Sequence, residues 1–315
     1  MKISVYITSY NQKEYLKEAI ESVLDQTLAP YEIIIVDDCS KDGSQDLIAD
    51  YVDRYPDVFK AIYHRKNLGV TQSRIDALNA VSGDYVSYLD GDDRYLPDKL
   101  ELESRLLKDN PDRDIAFSNF RFINSDGSFK QNWADTDDPP PEGNVFAKVF
   151  SRQFPKKILF RNELVNYKAW VKIGFHDPEI DLYEDYELRI RLSKDLKVIY
   201  QNEVQSEYRI HEDGLSKAKL KDHIEALNYI YNKNKVLLND LSISEKRQIK
   251  KDLFKWLAMV SQMALEQELN EKSGIGSLIS VYYKYLKWQS GLRASINTLV
   301  KHKKYSLYRI LKRRI

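Results

Sequence analysis

The sequence predicts an α/β protein with a mostly parallel sheet, on three observations. Short apolar strands alternate with helix-length amphipathic segments through the first 90 residues. The strand Glu32-Ile33-Ile34-Ile35-Val36 is continuously apolar, as strands covered on both faces are. Polar and acidic residues follow the strands, on the edge where open α/β sheets hold ligands.

In chain order, Lys2 to Thr8 is a β-rich run that ends in the polar loop Ser9-Tyr10-Asn11-Gln12. Leu16, Ala19, Ile20, Val23 and Leu24 recur at helical spacing. The second strand ends in Asp37-Asp38-Cys39-Ser40, and Lys41-Asp42-Gly43-Ser44 turns the chain into a helix over about 45–55. Phe59 to His64 reads as a third strand, Thr71 to Val81 as a helix and Tyr85 to Leu89 as a fourth strand. Right-handed crossovers then bring residues 8–10, 37–40 and 90–93 to one crevice.

The fourth strand runs into Asp90-Gly91-Asp92-Asp93. Three carboxylates this close repel one another, so they protonate, face water or hold a cation. Oxygen-only ligands favour Mg or Mn. Read alone, the cluster is equally an acidic turn, since Asp and Gly are turn formers.

Beyond it, Pro97 suits a first helical turn, and Leu96, Leu100, Leu102, Leu106 and Leu107 give that helix an apolar face. Ile115 to Ile123 is another strand, and Ser125-Asp126-Gly127-Ser128 a hairpin turn. The polar stretch to Gly143 is a loop in which Trp133 either packs or serves as a substrate platform. Residues 144–175 show a mixed apolar pattern. A helix begins near Glu184 in Glu184-Asp185-Tyr186-Glu187-Leu188, where carboxylates either cap the helix or act in a site. Val198 to Tyr200 and Gln205 to Ile210 are short strands.

From Lys219 onward the pattern is helical. One stripe runs through Leu220, Ile224, Leu227 and Ile230, and a second through Ile249, Leu253, Trp256, Leu257, Val260 and Met263. Net charge is +1, but no Asp or Glu follows Glu271, while Lys272 to Arg314 holds 11 Lys and Arg. The rest of the chain is therefore acidic. The basic, aromatic-bearing segment 277–315 either binds an anionic membrane surface or packs its apolar stripe on the body. Nucleic acid is a weaker partner for it, because basic charge alone is nonspecific.

A single cysteine, Cys39, excludes an internal disulfide framework and fits a reducing compartment. No apolar run approaches the length of a membrane span, and the N-terminus lacks a signal-peptide pattern. These features predict a cytoplasmic protein with peripheral contact to the inner face of the membrane. No Gly-x-Gly-x-x-Gly follows the first strand, and no P-loop is present, which argues against a dinucleotide dehydrogenase and a P-loop NTPase.

Five segments in order resemble the inverting family 2 glycosyltransferases with the GT-A fold. They are Val5-Tyr6-Ile7-Thr8-Ser9-Tyr10-Asn11, Ile34 to Ser44, Asn67-Leu68-Gly69, Leu89 to Asp93, and Glu184 to Leu188. The resemblance covers roughly the first 215 residues and implies a GT-A domain over 1–215, with a C-terminal helical region over 216–315 beyond it. It implies a nucleotide-sugar donor, a UDP-sugar by family habit, a divalent metal (Mn or Mg) and transfer with inversion. Thr8 and Tyr10 would lie against the nucleobase, with Asn11, Asp38 and Arg74 in the same donor-binding set. Asp90 and Asp92 would hold ribose and metal, with Asp93 the closest metal ligand and His211, from Tyr208-Arg209-Ile210-His211, a further one. Arg209 is a candidate phosphate contact. Gly91 stands where a serine is common. Asp185 would be the catalytic base, with Glu184 competing for that role or positioning the acceptor. The acceptor would be a glycan or polyol phosphate of a bacterial surface polymer or a lipid-linked glycan. A noncatalytic nucleotide-sugar or glycan-binding module is the rival class, because fold analogy alone does not establish activity.

Overall fold

The computed structural model describes residues 1–211, 220–253 and 255–256. The chain divides into two compact units, residues 1–217 with 226–253 and residues 218–225 with 254–315. The first contains the sheet and every residue of the candidate site.

Its opening half follows the expected alternation closely. Strands β1 (Ile3–Ser9), β2 (Glu32–Asp37), β3 (Phe59–Tyr63) and β4 (Tyr85–Asp90) alternate with helices α1 (Lys13–Leu24), α2 (Ser44–Arg54) and α3 (Val70–Ala80). The four strands pair in parallel in the order β3-β2-β1-β4. β1 and β2 are buried along their whole length, and the run Ile33 to Val36 in β2 is continuously apolar, as strands covered on both faces are. Helix α1 buries Leu16, Ala19, Ile20 and Val23 against them, the stripe its spacing predicts.

Past β4 the sheet becomes mixed. Strands β5 (Arg94–Tyr95), β6 (Ile115–Asn124), β7 (Phe129–Asn132), β8 (Leu164–Asn166) and β9 (Val198–Ile210) extend it, with helices α4 (Lys99–Asp109), α5 (Phe146–Phe150), α6 (Tyr167–Ile173) and α7 (Glu184–Asp195) interspersed. β8 runs antiparallel to both β4 and β6, whereas β6 and β9 are parallel. The expected turn at 125–128 closes the β6–β7 hairpin, with Asn124 N–H donating to Ser128 O at 2.9 Å. The two short strands expected near 198 and 205 are one strand, β9. The polar gap between them is a bulge, because the register against β6 shifts on either side of Asn119.

Trp133 packs. It is fully buried, stacks on Phe120 at 4.9 Å between centroids and donates its indole N–H to Ile158 O at 2.9 Å. The platform alternative fails because no face of the ring reaches solvent.

Helix α8 (Leu220–Asn234) carries part of the first C-terminal stripe, with Leu227 and Ile230 buried. A second helical stretch runs from 243 to 253, and Ile249, Leu253 and Trp256 are buried. Leu257, Val260, Met263 and the basic segment 277–315 lie outside the described residues.

Candidate active site

Parallel pairing sets the floor of the site. Thr8 is in register with Asp90, and Ser9 with Asp37, so the carboxyl ends of β1, β2 and β4 lie side by side. Asp38 N–H donates to Ser9 O, and Gly91 N–H to Thr8 O, each at 2.9 Å. A Cβ on Gly91 would sit 2.8 Å from Thr8 O, so the close approach of β1 and β4 requires glycine here.

Asn11, at φ +53°, clasps the loops after β1 and β2. Its N–H donates to Ser40 Oγ at 2.9 Å, and its Oδ1 accepts from Lys41 N–H at 2.7 Å. Asp42 ties the two helix starts together, accepting from Lys13 N–H and from Ser44 N–H. Gly43 reaches that turn at φ +87°, a conformation that favours glycine. Asp38 is buried and holds the 67–69 loop. It accepts from Leu68 N–H at 2.7 Å and Gly69 N–H at 2.8 Å, and His64 Nδ1 lies 2.7 Å away. Each carboxylate oxygen has two lone pairs, so Asp38 Oδ2 keeps one beyond these contacts. Tyr10 stands above this floor with 45% of its surface exposed.

The three acids after β4 have different surroundings. Asp90 receives Arg74 Nη2 on one oxygen and Arg161 Nη2 on the other, both at 2.7 Å. Burial opposes its charge, but the two guanidiniums outweigh it and hold Asp90 below the usual range. Asp93 turns inward and is fully buried, accepting from Arg209 N–H at 2.9 Å and Arg161 Nη2 at 3.2 Å. Burial, together with the neighbouring Asp92 and Asp90, pushes its carboxyl well up despite Arg161.

Asp92 faces His211, with Oδ2 2.8 Å from Nε2. Strand β9 makes that meeting: Ser206 and Glu207 pair with β5, and Arg209 N–H docks on Asp93, which carries His211 alongside Asp92. Among the described residues no third His, Cys, Asp or Glu joins them in a metal-binding group. The Asp92 carboxylate is a donor of the kind that suits Mg or Mn, whose shells are completed by substrate phosphate oxygens and water, whereas the imidazole of His211 is a poor match for the harder Mg. Arg209 is committed elsewhere: it donates to Asp92 O, Ser125 O and Glu18 Oε2 and is buried, so it offers no guanidinium edge to a phosphate.

Glu184 and Asp185 open α7, following Tyr183 at φ +64°. Arg74 Nη1 lies 3.1 Å from Glu184 Oε1 while its Nη2 holds Asp90, so one side chain joins the acids after β4 to those at the start of α7. Burial and the adjacent Asp185 push Glu184 up to about 7, against the pull of Arg74. Asp185 accepts from its neighbour Tyr186 N–H at 2.8 Å and from Arg189 Nη1 at 2.7 Å. Burial opposes its charge too, but Arg189 first, then Arg74, Arg152 and Arg161, bring it down to about 2.

The structure thus gathers Thr8, Tyr10, Asn11, Asp38, Arg74, Asp90, Asp92 and His211 at one sheet edge, and Arg74 links them to Glu184 and Asp185. Asp93 belongs to the same cluster but faces the interior. Arg161, Glu163 and Arg189 are additions that sequence reasoning missed. They come from the mixed-pattern stretch before β8 and from a helix whose arginines look like ordinary surface residues.

A polar edge on a parallel half-sheet, with an acidic turn after its fourth strand and a second acid pair on a later helix, matches the GT-A fold. The profile of glycosyl transferase family 2 matches residues 4–167, and the chain belongs to that family. It is 38% identical over 116 residues to the provisionally named teichuronic acid biosynthesis glycosyltransferase TuaG of Bacillus subtilis, covering 37% of this chain and 44% of that protein. It is 29% identical over 211 residues to an uncharacterized glycosyltransferase of Methanocaldococcus jannaschii, covering 60% and 70%. The chain spans about two fifths of the length of the first curated relatives it matches, 39% in the Mycobacterium tuberculosis protein. Among solved structures, S. aureus TarS 1-349 in complex with UDP-GlcNAc superposes with a TM-score of 0.65 at 17% identity, over 87% of this chain and 77% of that one. That likeness shows the shared fold.

Proposed function

We propose that the chain is a metal-assisted, inverting glycosyltransferase of the hexosyltransferase type. It would move a sugar from a nucleotide-sugar, a UDP-sugar by preference, to a hydroxyl of a surface polysaccharide, a teichoic acid or a lipid-linked glycan. One observation carries this reading: Arg74 bridges Asp90 at 2.7 Å and Glu184 at 3.1 Å, so acids 94 residues apart share one cleft. The names of TuaG and of TarS with UDP-GlcNAc support the donor and acceptor classes.

In this reading the base of the donor sits among Thr8, Tyr10, Asn11 and Asp38. Asp90, kept ionised by Arg74 and Arg161, accepts the ribose hydroxyls. Asp92 and His211 would hold Mn or Mg, which when bound supplies positive charge beside the departing diphosphate. Asp185 accepts the proton of the acceptor hydroxyl as that oxygen attacks the anomeric carbon and the bond to the diphosphate breaks. Glu184 positions the acceptor. Residues 1–215 carry this chemistry. The basic segment 277–315 adds contact with an anionic membrane at its cytoplasmic face, and no helix among the described residues is long and apolar enough to cross one.

The test is a transfer assay over a panel of UDP-, GDP- and dTDP-sugars with Mn and a hydroxyl-bearing glycan acceptor, read as released nucleoside diphosphate. Release from a UDP-sugar, stimulated by the acceptor, is expected. Binding of the donor without release from any member of the panel would make the chain a noncatalytic binding module instead.

A further inference from the structure

Asp185 is the exposed end of a buried polar cluster that extends away from the cleft. Its side chain is 35% exposed, whereas Arg189 and Glu163 behind it are each 2% exposed. Arg189 Nη1 donates to Asp185 Oδ2 at 2.7 Å. Arg189 Nη2 donates to Tyr88 Oη at 2.6 Å and to Glu163 Oε2 at 2.9 Å. The guanidinium lies 5.2 Å from the centre of the Phe160 ring. Tyr88 belongs to β4, Glu163 immediately precedes β8 and Arg189 is on α7, so three elements converge on one guanidinium.

An Asp–Arg pair one helical turn apart is ordinarily a solvated surface contact of small consequence. Here the arginine is withdrawn from water, where a lone charge is strongly unfavourable. Glu163 supplies the compensating charge from a different element, and Tyr88 takes a further donor. The guanidinium is planar, so fixing Nη2 on two partners also fixes the direction in which Nη1 meets Asp185. The other Asp185 oxygen is held by Tyr186 N–H of its own helix.

We propose that Arg189, anchored by Glu163 and Tyr88, is a positioning residue that sets the orientation of the Asp185 carboxylate toward the acceptor hydroxyl. This rests on the reading of Asp185 as proton acceptor. The surrounding charges keep that carboxylate ionised. Arg189 on α7, Arg74 on α3, Arg152 after α5 and Arg161 before β8 all favour the ionised form of Asp185. Glu184, Asp90 at the end of β4, His176 and Tyr183 also face it. Removing Arg189 leaves three arginines in place, so Asp185 loses its orientation more than its charge.

The experiment compares kcat, the KM of donor and acceptor, and the pH profile for R189M, R189K, E163Q and D185N. R189M is expected to lose roughly tenfold to a hundredfold in kcat, the scale of misplaced reacting groups, with the donor KM unchanged. Its acid limb moves to higher pH, because one of the charges favouring the carboxylate is gone. R189K restores part of kcat. E163Q, which removes a negative charge, leaves the acid limb at or below the wild-type position. A folded R189M with wild-type kcat and acid limb, alongside an inactive D185N, would overturn the proposal and leave Asp185 as base. Turnover by D185N would remove the underlying reading and this proposal with it. Should R189M fail to fold, the E163Q/R189M double variant removes both buried charges together and carries the same comparison.

Discussion

The two acid pairs of the cleft are stabilised in different ways. At the end of β4, Asp90 is clamped by two arginines, while Asp92 faces His211 and, among the described residues, meets no arginine with its carboxylate. At the start of α7, Asp185 is drawn down to about 2 and its neighbour Glu184 is pushed up to about 7. Asp90 and Asp185 are thus held in their charged form by guanidiniums, whereas Glu184 is pushed toward its neutral form. A locked carboxylate suits a fixed hydrogen-bonding duty and stays unprotonated at neutral pH. The lesson is that neighbouring acids in such a cluster differ in chemistry because of the counter-charges brought to them, not because of their own identity.

The largest effect that would break this contrast concerns Asp185. Asp185→Asn should lower transfer by about 10²–10⁴-fold, the range of general-base catalysis, with donor affinity by calorimetry unchanged. A parallel loss of donor affinity would merge the two sides into one. Next, Asp92→Ala and His211→Ala should each weaken Mn-dependent UDP binding by roughly 10–100-fold, while binding measured in EDTA stays the same. Equal loss with and without metal would make the pair a purely structural contact.

A third, smaller effect tests the floor that both sides share. Gly91→Ser puts a Cβ against Thr8 O and should cost about 1–3 kcal/mol of stability in urea denaturation, as overpacked sites do. The smallest effect concerns Glu184. Between its ordinary value and about 7, the folded protein keeps a proton that the unfolded chain has released, so its contribution to stability falls as pH rises through that window. Glu184→Gln should remove this dependence. The variant should therefore gain on wild type in Tm as the pH is raised from about 5 to about 8.

Much of the donor side was legible because its signals are local. Continuous apolar strands, amphipathic helices and acids at strand ends lie within windows of about ten residues, and β1 to β4 fall within a residue or two of their expected limits. Parallel pairing then brings their ends together without further information. At the start of α7 only Glu184 and Asp185 stood out in the sequence. Arg161, Glu163 and Arg189 carry no sequence signature, since an arginine is buried by whatever distant acid meets it. β5 and β8, at two and three residues, are too short to show a period, yet β5 guides β9 and β8 follows the segment bearing Arg161 and Glu163. The distinction between Asp92 and Asp93 was likewise out of reach. It depends on Arg209 N–H, which docks on Asp93 from 116 residues away.

The measurement that most directly tests the two-sided cleft is the anomalous scattering of Mn in crystals of the full chain grown with Mn and a nonhydrolysable UDP-sugar. A peak beside Asp92 and His211, with the diphosphate next to it and the sugar between it and Asp185, is the predicted result. A donor bound at another edge of the sheet, or a sugar pointing away from Asp185, would contradict it.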